Sequence, residues 1–474
     1  MNRIVSGLTV VAALLLAAPG RSAEPPFEVR AGVRQLFLDE QGVERKAHVR
    51  ATMHTPVKRG AVLRSPDPSK TIQTRSAPAW DPVRKRYLLW VLSIEPNVWE
   101  SGDGLNWSPV GTSNLRVDLA VHDPNEKDHA KRFKAAMTNA GFATSPDGIH
   151  WTKLDVPKVP SSDEANFSHD PASGLFIHTI KRGGPHGRSQ AIAVSKDFHE
   201  WNDLGVVFHA DDEDQARGRA NIAARLADPT LEPLRYVDQD ATNVDVYNLG
   251  VFRYEGVYIG LPTMYHAVGR VPNYPNTDGF DLVQLAFSRD LKTWIRLGDR
   301  KAFLGPSRTG AGAYDLTQIL SPSAPVVRGD ELWFYYTGLK YRSNFDYKGT
   351  YPNGETVPVP GRSRDVGAVC LAVLRRDGFV SLDAGDEAGS VVTRPFTLPA
   401  GTLFVNVDAR GGEFRSEVET EDGKPVARSK VVSDDVTRQP LTWETGDLAS
   451  LAGRRVVLRF TLRNARLYSY WVTQ

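Results

Sequence analysis

SPDGIHW, at 145–151, is one of four stretches with the pattern Ser-x-Asp-x-x-x-Trp. The other three are SGDGLNW at 101–107, SKDFHEW at 195–201 and SRDLKTW at 288–294. Three of these four stretches directly follow an apolar segment, which is typical of a turn at the end of a β-strand. The Ser and Asp side chains can accept backbone N–H bonds within such a turn, and we expect the Trp ring to pack on the next strand. A turn repeated at intervals of this size predicts the blades of a β-propeller.

A β-hairpin with a turn signal at its centre precedes each copy, as in ANFSHDPASGLFIHTI and LGVFRYEGVYIGLP. A fifth hairpin, APVVRGDELWFYYTG, precedes LRRDGFVSL at 374–382, which we interpret as a degenerate copy. In that copy Arg375 replaces the Ser and Ser381 replaces the Trp. Five hairpins, each followed by a strand and a turn, predict an all-β fold with a five-bladed β-propeller of four-stranded blades.

The two ends of the chain differ from this repeat. MNR followed by an apolar run predicts a signal peptide over 1–23, so the protein is expected to be secreted or periplasmic, with no membrane contact after cleavage. An uncleaved membrane anchor is the alternative. We expect the propeller over 27–390, with residues 28–56 supplying one or two extra strands that close the ring. The pattern changes after residue 390 and predicts a small C-terminal β-sandwich over 391–474.

Composition excludes several classes of function. The 474 residues carry a formal net charge of +2 with acids and bases interspersed, which argues against a nucleic-acid partner. The single cysteine, Cys370, lies in an apolar run and can form no internal disulfide. The sequence has no zinc-ligand spacing, phosphate-binding glycine loop or Gly-x-Ser-x-Gly motif, so we expect no metal and no cofactor. Four consecutive acids at 211–214 leave a structural calcium ion open beside a solvated loop.

The hairpin GVFRYEGVYIGLP and the turn FSRDLKTW resemble those of the five-bladed β-propeller glycoside hydrolases of families 32, 43 and 68. The resemblance is one of scaffold and runs from residue 75 to residue 470; family 32 also carries a C-terminal β-sandwich. It implies a general acid in the third blade, which falls on Glu164. The sequence departs from the family where the first two blades should carry aspartates, at Arg75 with Ser76 and at Ala120 with Val121.

Candidate catalytic acids follow from aligning the five hairpins on their second strands. Asp163, Glu164 and Asp245 fall at matching depth in the third and fourth hairpins, and Asp315 lies slightly earlier in the fifth. Glycoside hydrolysis needs one protonated and one ionised carboxyl group beside the scissile bond, and neighbouring carboxyls in a partly dry cavity acquire different pKa values. We predict Glu164 as general acid and Asp245 as nucleophile or base, with Asp163 or Asp315 orienting the sugar. A role in strand entry or strand pairing is the alternative.

Basic and aromatic residues near the same level are predicted to bind the substrate. They are Arg75 on the first inner strand, Lys181 and Arg188 after the third hairpin, Tyr265 and His266 after the fourth, and Lys340 after the fifth. Such groups suit a carbohydrate, particularly an acidic or sulfated one, because guanidinium pairs bidentately with such anions. Solvated loop charge is the alternative for each of them.

The leading functional hypothesis is a secreted glycosidase that cleaves a poly- or oligosaccharide with paired carboxylates in the central cavity. The alternative is a non-catalytic, carbohydrate-binding propeller, which the missing acids of the first two blades favour. A third, sialidase-like hypothesis would use Arg75 and Arg188 to clamp a carboxylate and Tyr265 as nucleophile. The spacing of the turns and the count of five blades argue against the third hypothesis.

Overall fold

The computed structural model describes residues 27–234, 236–270, 277–310, 312–342, 349–350, 356–357 and 364–474. The predicted signal peptide, 1–23, lies outside these residues, and among them no helix is long and apolar enough to span a bilayer. Strands dominate, which confirms the prediction of an all-β fold. In the described ranges there is one α-helix, Asp212–Ala227, with four short 3-10 helices: His129–Lys131, Gln239–Ala241, Gly298–Arg300 and Ala449–Leu451.

Four antiparallel sheets follow one another along the chain, each built from consecutive strands. The first contains Ala79–Asp81, Arg86–Trp90, Val98–Ser101 and Ser108–Gly111. The second contains Leu119–His122, Phe133–Met137, Gly141–Ser145 and Thr152–Lys153. The third contains Ala165–Asp170, Leu175–Gly184, Gly187–Ser195 and Asn202–Phe208. The fourth contains Asn243–Tyr254, Val257–Arg270, Thr277–Val283, Ala286–Ser288 and Ile295–Arg296.

A fifth sheet combines distant parts of the chain. It contains Gln318–Leu320, Val326–Arg328, Glu331–Leu339 and Gly367–Arg375, and its outermost strand is Val57–Arg64. Leu63 pairs with Val369 across the seam. The strand that completes this sheet therefore begins just after the range 28–56, in which the sequence analysis had placed it.

The five sheets contact one another in a cyclic order. Five clusters of buried apolar side chains each join two consecutive sheets, and one of them joins the fifth sheet to the first through Tyr335 and Trp99. The seam between those two sheets also carries hydrogen bonds, since the Thr74 amide donates to the Thr337 hydroxyl over 2.8 Å. The first strands of the first four sheets also lie side by side: Ala79–Asp81 beside Leu119–His122, Leu119–His122 beside Ala165–Asp170, and Ala165–Asp170 beside Asn243–Tyr254.

The repeated turns are held by their own side chains, as predicted. In SPDGIHW the Ser145 hydroxyl accepts from the Gly148 amide over 2.8 Å, and Asp147 Oδ1 accepts from the amides of Ile149 and His150 over 2.9 and 2.8 Å. The Trp rings pack on the preceding sheet rather than on the next strand. Trp201 of the third sheet, for example, stacks on Phe142 of the second at 4.4 Å.

Two larger sheets share one further cluster of buried apolar side chains. One contains Gln35–Leu36, Arg50–Met53, Val380–Ala384, Thr402–Asp408, Asp435–Pro440 and Ala465–Thr473. The other contains Val43–Ala47, Gly389–Thr393, Phe396–Thr397, Glu413–Glu419, Pro425–Ser429, Trp443–Thr445 and Arg455–Arg463. Most of residues 28–56 therefore join the C-terminal sheets, and strands of these sheets begin at Val380, ahead of the boundary predicted at 390.

Two further strand pairs lie at long connections of the chain. Around residues 267–280, Val257–Arg270 pairs with Thr277–Val283 and extends the fourth sheet. Within residues 341–365, Gly349–Thr350 pairs with Thr356–Val357, and much of the remainder lies outside the described residues.

Candidate functional site

A cavity of about 600 Å³ opens where the leading segments of all five sheets meet. Its polar lining combines three carboxyl groups and three guanidinium groups, together with a tyrosine and several neutral side chains. The charged members and the tyrosine are Arg75, Arg116, Asp118, Asp163, Glu164, Tyr247 and Arg342. Three of the residues singled out from the sequence, Arg75, Asp163 and Glu164, are thus in the cavity wall.

Arg75 and Glu164 form a bidentate ion pair across the cavity wall. Arg75 Nε and Nη2 donate to the two carboxylate oxygens of Glu164, each over 2.6 Å. Burial lowers the pKa of Arg75, but the charge of Glu164 and these two bonds more than offset it, so the pKa is raised. Because both oxygens of Glu164 accept from N–H groups, the geometry suits a carboxylate better than a proton donor.

Asp163 and Lys181 form the neighbouring pair. Lys181 lies opposite Glu164 at the start of the third sheet, and its Nζ donates to Asp163 Oδ1 over 2.7 Å. The lysine side chain is only 1% exposed, whereas the aspartate side chain is 69% exposed. Burial lowers the pKa of Lys181. The charge of Asp163 therefore keeps a buried ammonium group compensated.

Asp118 is a cavity carboxyl group that the sequence analysis missed. It precedes the first strand of the second sheet, and its Oδ2 accepts from the Thr138 hydroxyl over 2.9 Å. Its Oδ1 is buried and has no hydrogen-bond partner among the described residues. Burial raises the pKa of Asp118, since neither the bond from Thr138 nor the charge of Arg75 fully offsets the loss of water. Asp118 is thus the cavity acid best suited to hold a proton.

The reason for missing Asp118 is a difference in turn length. The alignment counted back a fixed distance from each second strand. In the second sheet, residues 123–132 separate the first two strands and include a 3-10 helix, whereas residues 171–174 separate them in the third. In the second sheet, the fixed distance before the second strand therefore ended at Ala120 and not at Asp118. An alignment by strand pairing would have found Asp118. Leu119 pairs with Ala136, so Asp118 lies opposite Met137. Glu164 occupies the same position in the third sheet, opposite Lys181.

Tyr247 forms the wall on the side of the fourth sheet. The Nζ of Lys181 lies 4.1 Å from the centre of its ring, and the Arg188 guanidinium lies 4.8 Å from it. Burial, reinforced by the charge of Glu164, raises the pKa of Tyr247 to about 12. The hydroxyl is therefore neutral at physiological pH, which makes Tyr247 a hydrogen-bonding and stacking group rather than a nucleophile.

Asp245 lies behind Tyr247. Its Oδ2 accepts from Arg188 Nε over 2.8 Å, and its Oδ1 is buried without a partner in the described part of the chain. Burial lowers the pKa of Arg188, but this pairing more than offsets it, so the pKa is raised. Asp245 and Arg188 are not among the residues that line the cavity, so they support the wall instead of forming it.

A second buried carboxyl group, Asp281, lies near Arg342 but does not line the cavity. Asp281 Oδ2 accepts from the Ile319 amide over 3.2 Å, and Oδ1 has no partner among the described residues. Burial raises the pKa of Asp281 to about 7, against the opposing charge of Arg342. This carboxyl group therefore changes its charge near neutral pH.

The remaining predicted site residues lie away from the cavity lining. Asp315 pairs with Lys58 Nζ at 2.6 Å and accepts from the Tyr336 hydroxyl. Lys340 pairs with Asp365, which precedes the strand Gly367–Arg375, and lies over the Tyr314 ring. Tyr265 is buried, and its hydroxyl bonds Thr277.

His266 is fully enclosed as well. It stacks on Phe280 with the ring centres 4.7 Å apart, and burial lowers its pKa to about 4. It therefore remains neutral at physiological pH and fills space beneath the fourth sheet.

The acidic stretch considered for calcium forms the start of the α-helix. Asp211 caps the helix and accepts from Arg300 Nη1 over 2.6 Å, while Asp214 accepts from Arg296 Nη1 over 2.5 Å. Arginines therefore compensate these acids. In the ranges that the structure describes, no cluster of three His, Cys, Asp or Glu side chains is arranged to hold a metal ion.

Comparison with known proteins gives a distant structural likeness. No family model matches the sequence, and no curated protein matches it. Among solved structures, a Bombyx mori GH32 beta-fructofuranosidase in complex with sucrose is 10% identical, covers 88% of this chain and 94% of its own, and superposes with a TM-score of 0.36.

Two further structures are similar to the same degree. A family 43 arabinoxylan arabinofuranohydrolase from Bacillus subtilis is 12% identical over 88% of this chain and 99% of its own, with a TM-score of 0.32. An N-acetylgalactosamine deacetylase from F. plautii is 14% identical over 70% of this chain and 97% of its own, with a TM-score of 0.36. Families 32 and 43, which the sequence resembles, are thus found among the similar structures. At these TM-scores the likeness assigns no residue and no reaction, so function must be argued from the cavity.

Proposed function

We propose that the protein is an exported glycoside hydrolase whose reaction takes place in the cavity between the five sheets. The observation that carries this proposal is the pair of unlike carboxyl groups in the cavity wall. Burial raises the pKa of Asp118, while Glu164 accepts two bonds from a guanidinium group. One proton-bearing and one ionised carboxyl group are what glycoside hydrolysis requires.

The fold part of the proposal is a five-bladed propeller joined to a β-sandwich. The cyclic order of the five apolar clusters supports the propeller, and Val57–Arg64 would complete its last blade. The cluster shared by the two larger sheets supports the sandwich. We place residues 27–53 with the sandwich, because three strands of this range pair with C-terminal strands.

In the proposed reaction, Asp118 donates its proton to the glycosidic oxygen as the bond from that oxygen to the anomeric carbon breaks. Glu164, held by Arg75, stabilises the positive charge that develops on the sugar ring and acts as nucleophile or as the base that activates water. Water supplies the hydroxyl group of one product, and its remaining proton returns to the carboxyl pair. The reaction needs no cofactor. This assignment moves the acid from Glu164, where the resemblance placed it, to Asp118.

The substrate in this proposal is a carbohydrate, and we retain the prediction that it is acidic or sulfated. Stacking of a sugar face on Tyr247 and hydrogen bonds from Asn139 and Gln318 would orient it, since all three residues line the cavity. The predicted signal peptide supports export to the periplasm or the medium.

The test is hydrolysis of a broad glycan panel by the purified protein without residues 1–23. Asp118→Asn and Glu164→Gln keep the shape of each side chain, and Asp212→Asn is the matched control because its side chain is fully exposed. We expect product from the parent protein and the control, and a loss of at least a hundredfold in each cavity variant. Binding of a glycan without any hydrolysis would instead favour the non-catalytic carbohydrate-binding propeller.

A further inference from the structure

Arg342 is a buried cation that faces the cavity, and no carboxylate among the described residues is hydrogen-bonded to it. It is 8% exposed and lines the cavity. Its Nη2 is buried and has no hydrogen-bond partner among the described residues. A guanidinium group offers five N–H donors and is almost never buried unless those donors are used.

The described surroundings of Arg342 hold the guanidinium in place without a hydrogen-bonded carboxylate. Its Nε donates to the Tyr265 hydroxyl over 3.4 Å, and its Cζ lies 5.0 Å from the centre of that ring and 5.7 Å from the ring of Tyr247. Asp281 attracts it electrostatically. Asp281 Oδ2 accepts a hydrogen bond from a backbone amide, and no described hydrogen bond joins the Asp281 carboxylate to Arg342.

The other buried cations of this region are compensated differently. Arg75 is paired with Glu164, Lys181 with Asp163, and Arg188 with Asp245. Once these pairs are set aside, the described lining residues keep two cations, Arg342 and the exposed Arg116, against one carboxyl group, Asp118. This described lining therefore carries an excess of positive charge even when Asp118 is ionised.

We propose that Arg342 binds an anionic group of the carbohydrate substrate, either a carboxylate or a sulfate ester. Each group offers a pair of terminal oxygens that can accept two parallel N–H bonds from the guanidinium fork. The proposal rests on the proposed function only in that the cavity accepts a carbohydrate; it does not require that the carbohydrate be cleaved. Arg116, at the exposed rim, would steer the same anion toward the cavity.

The test uses glycan arrays of matched composition. Neutral, uronic-acid-containing, sialylated and sulfated glycans are probed with the Asp118→Asn protein, in which cleavage is blocked, and with the same protein carrying Arg342→Gln or Arg342→Lys. We expect retention of an acidic class, weakened about ten- to a hundredfold by Arg342→Gln and partly kept by Arg342→Lys. Retention of uronic or sialic acids alone identifies a carboxylate, and retention of sulfated glycans alone identifies a sulfate.

The controls separate this inference from the proposed function. Arg219→Gln removes an exposed arginine outside the cavity and should change nothing. Thermal unfolding checks that each variant is folded at the assay temperature, because Arg342→Gln also removes the attraction between Arg342 and Asp281. Retention of neutral glycans only, or acidic binding unaffected by Arg342→Gln, overturns this inference alone. Retention of no glycan at all overturns the inference and the proposed function together.

Discussion

Asp377 and Asp118 both carry buried carboxyl oxygens, at two different places in the five-sheet region, and they differ in how those oxygens are used. At the junction with the C-terminal sheets, Asp377 Oδ2 accepts from Arg34 Nη1 and from the Ser469 hydroxyl, each over 2.5 Å. Its Oδ1 accepts from the Tyr254 hydroxyl over 2.6 Å. In the cavity, Asp118 Oδ1 accepts from no described residue.

The difference, combined with the place of Asp118 in the cavity lining, separates a structural acid from a functional one. Asp245 and Asp281 also have a buried oxygen without a partner among the described residues, but they do not line the cavity. A buried carboxylate whose oxygens are saturated by a cation and hydroxyl groups fixes the segments that supply them. A buried carboxyl group with an unused oxygen is costly to the fold, and such costs persist where a ligand or a reaction uses the group. Asp377 therefore ties the N-terminal segment, the fourth sheet and the C-terminal strands together, whereas Asp118 is left available to substrate.

The largest expected effect is on the cavity side of this comparison. Asp118→Asn should lower the rate of glycoside hydrolysis by about 10² to 10⁴, because a positioned general acid contributes that much. The free energy of unfolding should change little, since the amide oxygen of Asn can still accept from the Thr138 hydroxyl. Rates on the glycan found by the panel and urea unfolding measure the two quantities. A variant that keeps its rate but loses stability would make Asp118 a structural acid like Asp377.

At the junction, Asp377→Asn should cost about 3 kcal/mol in the free energy of unfolding, because the buried Arg34 would lose its short ion pair and keep the longer one with Glu255, at 3.9 Å. The rate measured on folded protein should change little. The Arg34→Gln and Asp377→Asn double variant completes a cycle that isolates the ion pair. Additive losses in that cycle would show that the two groups stabilise the junction independently.

The turn repeat could be predicted from sequence because its chemistry is local. Ser145 and Asp147 bond amides within three residues, so the four intact copies and the all-β fold follow from the motif itself. The degenerate copy was also recognised at Asp377. Its new role was not, because Arg34 and Ser469 lie far away in the chain and nothing in either local sequence pairs them with Asp377.

The cavity was only partly predictable for a related reason. Arg75, Asp163 and Glu164 were found because they sit at one level of the repeated hairpins. Asp118 was missed because a longer turn moved it out of the count. Arg342 stands out because its buried Nη2 has no hydrogen-bond partner among the described residues. The sequence cannot reveal this, since it does not show which residues surround Arg342 in space.

Asp281, a third buried carboxyl group, should make the stability of the protein depend on pH. Burial raises its pKa from the ordinary carboxyl range to about 7, so between about pH 4 and pH 7 the folded protein keeps a proton that the unfolded chain has released. The unfolded state binds fewer protons in this range, and the free energy of unfolding therefore falls as pH rises, by about 1.4 kcal/mol per pH unit from this group. Urea unfolding of the parent, Asp281→Asn and the Asp212→Asn control at several pH values measures the slope. We expect Asp281→Asn alone to flatten it, and equal slopes in all three would assign the titration to other groups.

The smallest effect is expected in the intact turns, where an aspartate serves only its own loop. Asp147→Ala removes the acceptor for the Ile149 and His150 amides and should lower the free energy of unfolding by about 1 kcal/mol. The cost is small because water can reach the freed amides.

The same turn should respond to pH. Burial opposes ionisation of Asp147, but the His150 ring and the two amides outweigh it and lower the pKa of Asp147 to about 2. This contribution should therefore be present at neutral pH and be lost as pH falls from about 4 toward 2. Asp290→Ala, the same change in the fourth copy, should behave alike. If either variant lost as much stability as Asp377→Asn, long-range packing rather than turn chemistry would account for the repeat.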